Sequence, residues 1–561
     1  MSERSTPDAR RARHPANSPG PVGTAGAGPG GERRPRPALT LVAVLVALLV
    51  LPTSVTGSGV ALPHIARDTN ASLEALGWVV HGYNLTFASF MLACGCLADL
   101  VGRRRVFAAG GLLFALASAA SAATSDIVVL DVLRGAAGVG AAALLTSGVS
   151  LLAATFTGPA RGRVFAAVGI VTGAGLALGA MAAGVLSDAL GWRSFFGLHA
   201  VLTLLALCAV PFLRESRGTA ATRVDWVGTA TLVTGLFLLL LGTVEGPHWG
   251  WGSGGVRGLL AGAALLLAVF VAWERRAPYP MLDLGLLRNA RFLALCLIPV
   301  VVTFSFVVLL PLLPNYLLVA HRTSSRAAGA TMLLMTLPIL GTPLLAGGLL
   351  RWGLSTRHVF GLSLACLTVG VGWLAVVLQP GAGPVTLAGP LLTLGVGLGL
   401  NFGLVDGAVL DAVPPEATGA AAGFLNTLRL GSEALVIAAA SSALVGLTRG
   451  RLADELGPSP ASPGGSGRLT AAGLADSANA GDLTGPLSTL PADARAGLLD
   501  LVARGLTDAW QTVLWASAAI CAALSVVVHV LLAGPGGGAP EPGAPGPGSP
   551  EAPATPAEAC A

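Results

Sequence analysis

The chain has 561 residues, 53% of them hydrophobic and 11% charged, with a formal net charge of +5 and a mean hydropathy of +0.75. A soluble chain carries roughly a quarter charged residues to cover its surface, so a soluble multidomain protein is excluded and lipid is the solvent that fits. All 33 basic residues are arginines, dispersed along the chain and not gathered with aromatics, which argues against nucleic-acid binding.

Residues 1–37 are rich in Pro, Gly and Ala and too poor in large apolar residues to fold alone, so they are expected to form a disordered tail. A bilayer core of about 30 Å takes about 20 helical residues. Apolar segments of that length follow at 39–61, 77–98, 106–123, 127–153, 164–186, 195–213, 226–244, 256–273, 292–318, 327–350, 359–378, 385–410, 419–446 and 508–533. The first begins too far into the chain, and is too long, for a cleaved signal peptide. The stretch 447–507 is the longest connection, with a short helix expected near 491–504, and residues 534–561 form a second disordered tail.

Fourteen spans put both termini on one side, and arginine bias says which. The N-terminal tail and the short loops on its side hold 21 arginines, whereas the opposite short loops hold five: Arg67, Arg193, Arg257, Arg322 and Arg326. Both termini are therefore expected in the cytoplasm and the 447–507 loop outside. Arginine without lysine, beside abundant Ala, Gly and Pro, suggests GC-rich bacterial codons, hence a multi-pass protein of a bacterial plasma membrane. Tryptophans at span ends (Trp78, Trp192, Trp226, Trp249, Trp251, Trp273, Trp352 and Trp510) read as an interfacial belt, and His81 as an interfacial histidine. The seven cysteines show no metal or disulfide spacing and read as small apolar filler.

Ionisable side chains at membrane depth are costly unless paired or hydrated, so each is a candidate for function. Asp131 and Arg134 share a face of the fourth span, and Arg429 and Glu433 a face of the thirteenth. Each pair is either a working pair in a proton or substrate path or a structural ion pair that locks helix packing. Asp406, near the inner end of the twelfth span, is a further candidate, or a carboxylate that reaches headgroup water. No cofactor or metal is expected.

The connection after the second span reads Gly95-Cys-Leu-Ala-Asp99-Leu-Val-Gly102-Arg103-Arg104-Arg105. A glycine there admits a neighbouring helix and the aspartate can accept hydrogen bonds at a helix end. This resembles the signature loop of the major facilitator superfamily. The fourteen-helix drug/proton antiporter branch is further resembled in Arg134-Gly-Ala-Ala-Gly138 and in the fifth span's Gly169, Gly173, Gly175 and Gly179. Gly191-Trp192-Arg193 and Gly423-Phe-Leu-Asn426-Thr-Leu-Arg429 agree with it in order. The resemblance implies an all-α membrane protein with two six-helix bundles, 38–213 and 292–533, and two additional central helices within 214–291. It implies that Gly95, Asp99, Gly102, Arg103 and Arg104 form a conformational switch, and that the glycine stripe shapes the cavity and restricts leak.

The branch usually has an acid where Ser54 stands, so a coupling proton would be carried elsewhere, with Asp131 and Glu433 best placed. The implied activity is alternating-access export of small hydrophobic or amphipathic compounds by proton antiport, by a monomer in contact with membrane lipids. A uniporter or importer of a small metabolite is the alternative, and a sensor or scaffold would need a folded soluble domain that the tails do not supply. Without lysine no Gly-x4-Gly-Lys-Ser/Thr loop exists, and no His-Glu-x-x-His cluster marks an intramembrane enzyme.

Overall fold

Within hydrocarbon a backbone amide has no water to bond, so a spanning chain must pair its polar groups internally. The computed structural model, which describes residues 36–217, 225–278, 280, 284–414, 417–456, 470–481, 483, 488 and 491–533, does so with helices, and no strand occurs among these residues. Among the described residues fourteen helices are long and apolar enough to cross a membrane. In chain order they are Pro37–Thr69, Ala75–Val101, Arg103–Ala123, Ile127–Thr155, Gly158–Leu190, Trp192–Phe212, Trp226–Pro247, Gly254–Glu274, Ala290–Ala320, Ala327–Arg351, Thr356–Val377, Pro384–Asp411, Thr418–Leu456 and Arg495–Ala533. They are called the first to fourteenth spans below.

Short polar residues start many of them by accepting bonds from orphan amides. Ser72 accepts from Ala75, Asp126 from Val128 and Val129, Asp225 from Gly228, and Asn289 from Arg291 and Phe292. Three spans are interrupted in mid-course. The ninth carries a π-helical turn at Thr303–Val307, just after Pro299, and the tenth a 3-10 turn at Leu337–Leu340 that contains Pro338. The twelfth breaks at Gly403, whose φ of +78° is a left-handed conformation open to glycine.

The second span packs on the fourth, the third on the fourth and sixth, and the first on the fifth and sixth. The eleventh span packs on the twelfth and fourteenth, and the fourteenth also on the ninth and thirteenth. The seventh and eighth spans pair with each other. Central in sequence, they lie at the edge of the bundle on the seam between spans 2 and 13: Leu232 and Phe270 cluster with Leu92 and Ala420, and Leu240 with Leu85 and Ala88. At one end of this pair Trp251 Nε1 donates to Ser442 Oγ at 2.9 Å.

Two expectations are corrected. The 447–507 connection is mostly helical extension: the thirteenth span runs to Leu456, a helix covers Ala471–Asn479, and Ala492–Ala533 is one continuous helix that absorbs the separate one expected near 491–504. Its apolar residues explain this, since Leu452, Leu474, Ala478 and Leu506 belong to one buried cluster. Trp192 and Trp510 are buried in the core, unlike the exposed Trp226 and Trp352, so the belt does not include them. Both proposed tails, apart from Arg36 and Pro37, lie outside the described residues.

Candidate functional site

The signature loop sits where the second and third spans meet the start of the thirteenth. Asp99 and Arg103 are both buried, and the aspartate's Oδ1 accepts from Arg103 Nε at 3.1 Å and Nη2 at 2.9 Å. Asp99 Oδ2 accepts from the Ala420 amide at 3.0 Å, one of the four unsatisfied donors that begin the thirteenth span, where the helix dipole also favours an anion. Arg103 Nη2 donates to the Thr418 hydroxyl as well. Carboxylate, guanidinium and helix end thus join the second and third spans to the thirteenth. The backbones touch beside them: a Cβ on Gly95 would collide with the Gly419 carbonyl, and one on Gly419 would lie 2.6 Å from Asp99 Cγ. Arg104 turns away to Glu215, whose Oε1 accepts from its amide at 3.1 Å, and Gly102, with φ +123°, packs on the same carboxylate.

The fifth span's glycines divide between two faces. Gly175 meets Pro52 and Leu49, and Gly179 meets Thr53 and Thr56, all on the first span. Gly169 meets the Phe402 carbonyl and Gly403 of the twelfth span, and Gly173 meets Ile339 of the tenth. Below them Arg161 and Asp411 form an ion pair at 2.7 Å. The Gly169 and Arg161 contacts and the signature-loop latch lie toward the same ends of the spans, so spans 2, 3 and 5 are closed against spans 12 and 13 on that side. Toward the other ends Met181 and Val185 of the fifth span and Leu333 of the tenth are exposed.

The two ion pairs expected within single helices are not made. Arg134 is 1% exposed, yet it turns from Asp131 toward the first two spans. Its Nε donates to the Val79 carbonyl and its Nη1 to Ser54 Oγ, each at 3.0 Å. The Tyr83 and Phe196 rings lie 4.4 and 5.3 Å from the guanidinium carbon, a cation–π arrangement that takes the place of an acid. Arg134 Nη2, the Tyr83 hydroxyl and Asp131 Oδ1 are buried without a hydrogen-bond partner. Arg429 likewise leaves Glu433. Its Nη2 binds both oxygens of Asp406, at 3.3 and 3.2 Å, and its Nη1 donates to Asn426 Oδ1 at 2.9 Å. Asp406 is therefore not a headgroup-facing carboxylate: it is buried and joins the twelfth span to the thirteenth. The sequence spacing was satisfied, but in both cases the long arginine side chain reached an acceptor on a neighbouring helix.

Sequence reasoning missed Thr418, Ser54 and His199 as partners. His199 is buried on the sixth span, with Nδ1 2.7 Å from the Phe195 carbonyl and Nε2 3.0 Å from Thr53 Oγ1. A carbonyl can only accept, so Nδ1 carries a proton. A lone histidine in an apolar run gives no sequence signal of such a role.

The family model of the Major Facilitator Superfamily matches residues 44–437. The puromycin resistance protein pur8 of Streptomyces alboniger is 34% identical over 431 residues, 75% of this chain and 84% of its own length. The tetracenomycin C resistance and export protein of Streptomyces glaucescens is 31% identical over 402 residues, 70% of this chain and 73% of its own. A probable actinorhodin transporter of Streptomyces coelicolor is 30% identical over 427 residues, 74% of this chain and 73% of its own. Among solved structures, the proton:xylose symporter XylE superposes with a TM-score of 0.52 at 15% identity, over 71% of this chain and 87% of that one. The human organic anion transporter MFSD10 gives 0.51, also at 15% identity, over 87% and 100%. At that identity the likeness is one of fold.

Proposed function

The chain belongs to the major facilitator superfamily, and on that premise we propose that it exports small hydrophobic or amphipathic compounds, antibiotics among them, by alternating access. It is a multi-pass protein of the bacterial inner membrane. The exporter reading draws on relatives that carry resistance and export names and on a signature-loop latch between Asp99, Arg103 and the start of the thirteenth span. The latch is the observation that carries alternating access. It closes spans 2 and 3 on span 13 at one end through polar contacts that can break as a unit.

With the termini in the cytoplasm, as the arginine bias implies, the conformation is shut toward the cytoplasm, and the exposed outer parts of spans 5 and 10 border the release side. Arg134, Asp131, Asp406, Arg429 and Glu433 are then the charged groups that line or brace the path, with Gly169 and Gly403 its inner seal. Inward proton flow supplies the energy, and the chain works as a monomeric carrier that makes and breaks no bond in its substrate.

Everted vesicles carrying the protein test this. They should accumulate a lipophilic cationic dye or an antibiotic when a proton gradient, acidic inside, is imposed, and should lose it when the gradient is collapsed. Equal uptake with and without the gradient removes proton coupling, and no uptake of any compound removes export.

A further inference from the structure

Between the eleventh and fourteenth spans, at the end that also bears the signature loop, a groove with a volume of about 380 Å³ opens on the outside of the bundle. Its mouth is charged. Arg357 stands in the first turn of the eleventh span and His529 in the last turns of the fourteenth, with Arg357 Nη2 and His529 Nε2 2.9 Å apart. No acid lines the groove, and Arg357 enters no ion pair among the described residues.

Below the mouth the walls are apolar apart from the hydroxyls of Thr368 and Ser525. Small residues, Gly361 and Ala365 on one helix and Ala522 on the other, make the floor, and a Cβ added at Gly361 would meet nothing within 4 Å. The exposed Val369 and Val526 border it deeper in. From Arg357 to Val369 the groove runs along about 18 Å of helix at 1.5 Å per residue, slightly more than half the hydrocarbon thickness of about 30 Å. A guanidinium at a span end, with the histidine whose Nε2 accepts from it, therefore leads into a trough that is as deep as one leaflet.

We propose that this groove binds one anionic glycerophospholipid, its phosphate held by Arg357 and His529 and an acyl chain lying over Gly361. A free anion would match the mouth but gain nothing from the trough. A zwitterionic lipid would fill the trough, but its own headgroup cation already balances its phosphate, so it brings no net negative charge to the arginine. A lipid seated there would brace spans 11 and 14 beside the contact of Thr368 Oγ1 with Ser525 Oγ at 3.3 Å.

The test uses the purified full chain in detergent, titrated separately with dioleoylphosphatidylglycerol, dioleoylphosphatidylcholine and sodium phosphate. Thermal unfolding and intact mass spectrometry of lipid adducts are the readouts. Phosphatidylglycerol should raise the unfolding temperature and leave one adduct that the other two probes do not reproduce. Arg357→Gln with His529→Gln should weaken the phosphatidylglycerol effect by about tenfold, the loss expected for charge-assisted bonds. Gly361→Leu, which fills the trough and leaves both basic residues in place, should remove the adduct. Equal effects of the two lipids, full stabilisation by phosphate alone, or retention of the adduct by either variant would overturn the proposal.

Discussion

Arg134 Nη1 donates to Ser54 Oγ at 3.0 Å, across from the fourth span to the first, and the aspartate one turn away on its own helix is left out. A neutral hydroxyl thus occupies the place of a counter-ion, with aromatic rings supplying the rest of the cation's surroundings. Removing that hydroxyl leaves Nη1 as unsatisfied as Nη2 already is. Ser54→Ala should lower stability by about 1–3 kcal/mol, the cost of an orphaned buried donor, read as a lower unfolding temperature in detergent. Ser54→Asp should recover at least part of it by direct pairing. An unfolding temperature unmoved by Ser54→Ala would mean that the hydroxyl is a bystander.

Asp99→Asn keeps the shape of the side chain but gives up the charge that Arg103 and the start of the thirteenth span both use. The latch between the halves should loosen without harm to insertion. Transport in vesicles at equal protein amount should fall several-fold, and a cysteine introduced at Thr418 should react faster with a thiol reagent in Asp99→Asn than in its parent. Equal reactivity and an equal rate would assign the latch to packing alone.

At Gly403 two demands coincide. The left-handed φ of +78° disfavours any side chain by about 1–2 kcal/mol, and a Cβ there would run into the Phe165 carbonyl and lie 2.9 Å from the Gly169 amide. Gly403→Ala should therefore disfavour the conformation that is closed at this end. Expression should persist while transport drops, and cysteines placed along the inner half of the fifth span should gain accessibility. Wild-type transport by Gly403→Ala would show that the two spans separate at no functional cost.

The spans were legible because hydrocarbon demands long apolar helices and because arginine bias marks loops. The pairing of Asp99 with Arg103 was legible too, since they lie four residues apart, whereas their reach to Thr418 and the Ala420 amide was not. Side-chain partners at membrane depth were not. Asp131 and Arg134 have the right spacing, but an arginine is long enough to choose among three helices, and tertiary packing made the choice. The same holds for Arg429, which took Asp406 on a different span. Periodicity could not foresee that the hairpin of spans 7 and 8 lies over the seam of spans 2 and 13, since that follows from which apolar surface remains uncovered after both halves fold.

His321, in the connection after the ninth span, has its pKa held below the usual histidine value by burial, only partly offset by its bond to the Gln379 carbonyl at 3.0 Å. The folded state therefore binds its proton less readily than the unfolded state. Its contribution to stability is complete above the unfolded pKa of about 6.5 and is lost as pH falls from there toward the lower folded value. Unfolding temperature should decline on acidification through this window, and less steeply in His321→Gln. Parallel curves for the two proteins would exclude the histidine as a source of the decline.

The geometry alters the setting of both candidate coupling acids. On the proton-antiport reading proposed above, with Ser54 in the usual acid position, the proton rides on another carboxylate. Among the described residues Asp131, Glu433 and Glu245, the last buried near the end of the seventh span, form no ion pair, and of these Asp131 and Glu433 each share a helix face with an arginine. Arg134 and Arg429 are instead committed to Ser54 and Asp406. A carboxylate that meets an arginine in one conformation and none in the other binds its proton only in the second, which couples protonation to the movement of the halves. Spans 4 and 13 belong to opposite halves, so rocking changes what surrounds each acid, while Arg134 and Arg429 stay within reach on the same helices. If either acid is the coupling group, its neutral variant should still exchange substrate down the substrate's own gradient but should no longer concentrate it against one. Proteoliposomes carrying Asp131→Asn or Glu433→Gln separate the two activities: counterflow of labelled substrate measures exchange, and uptake after an acid-inside pH jump measures coupling. Loss of coupled uptake with exchange intact in one variant identifies the acid. If both variants still concentrate substrate after the jump, neither carboxylate carries the proton.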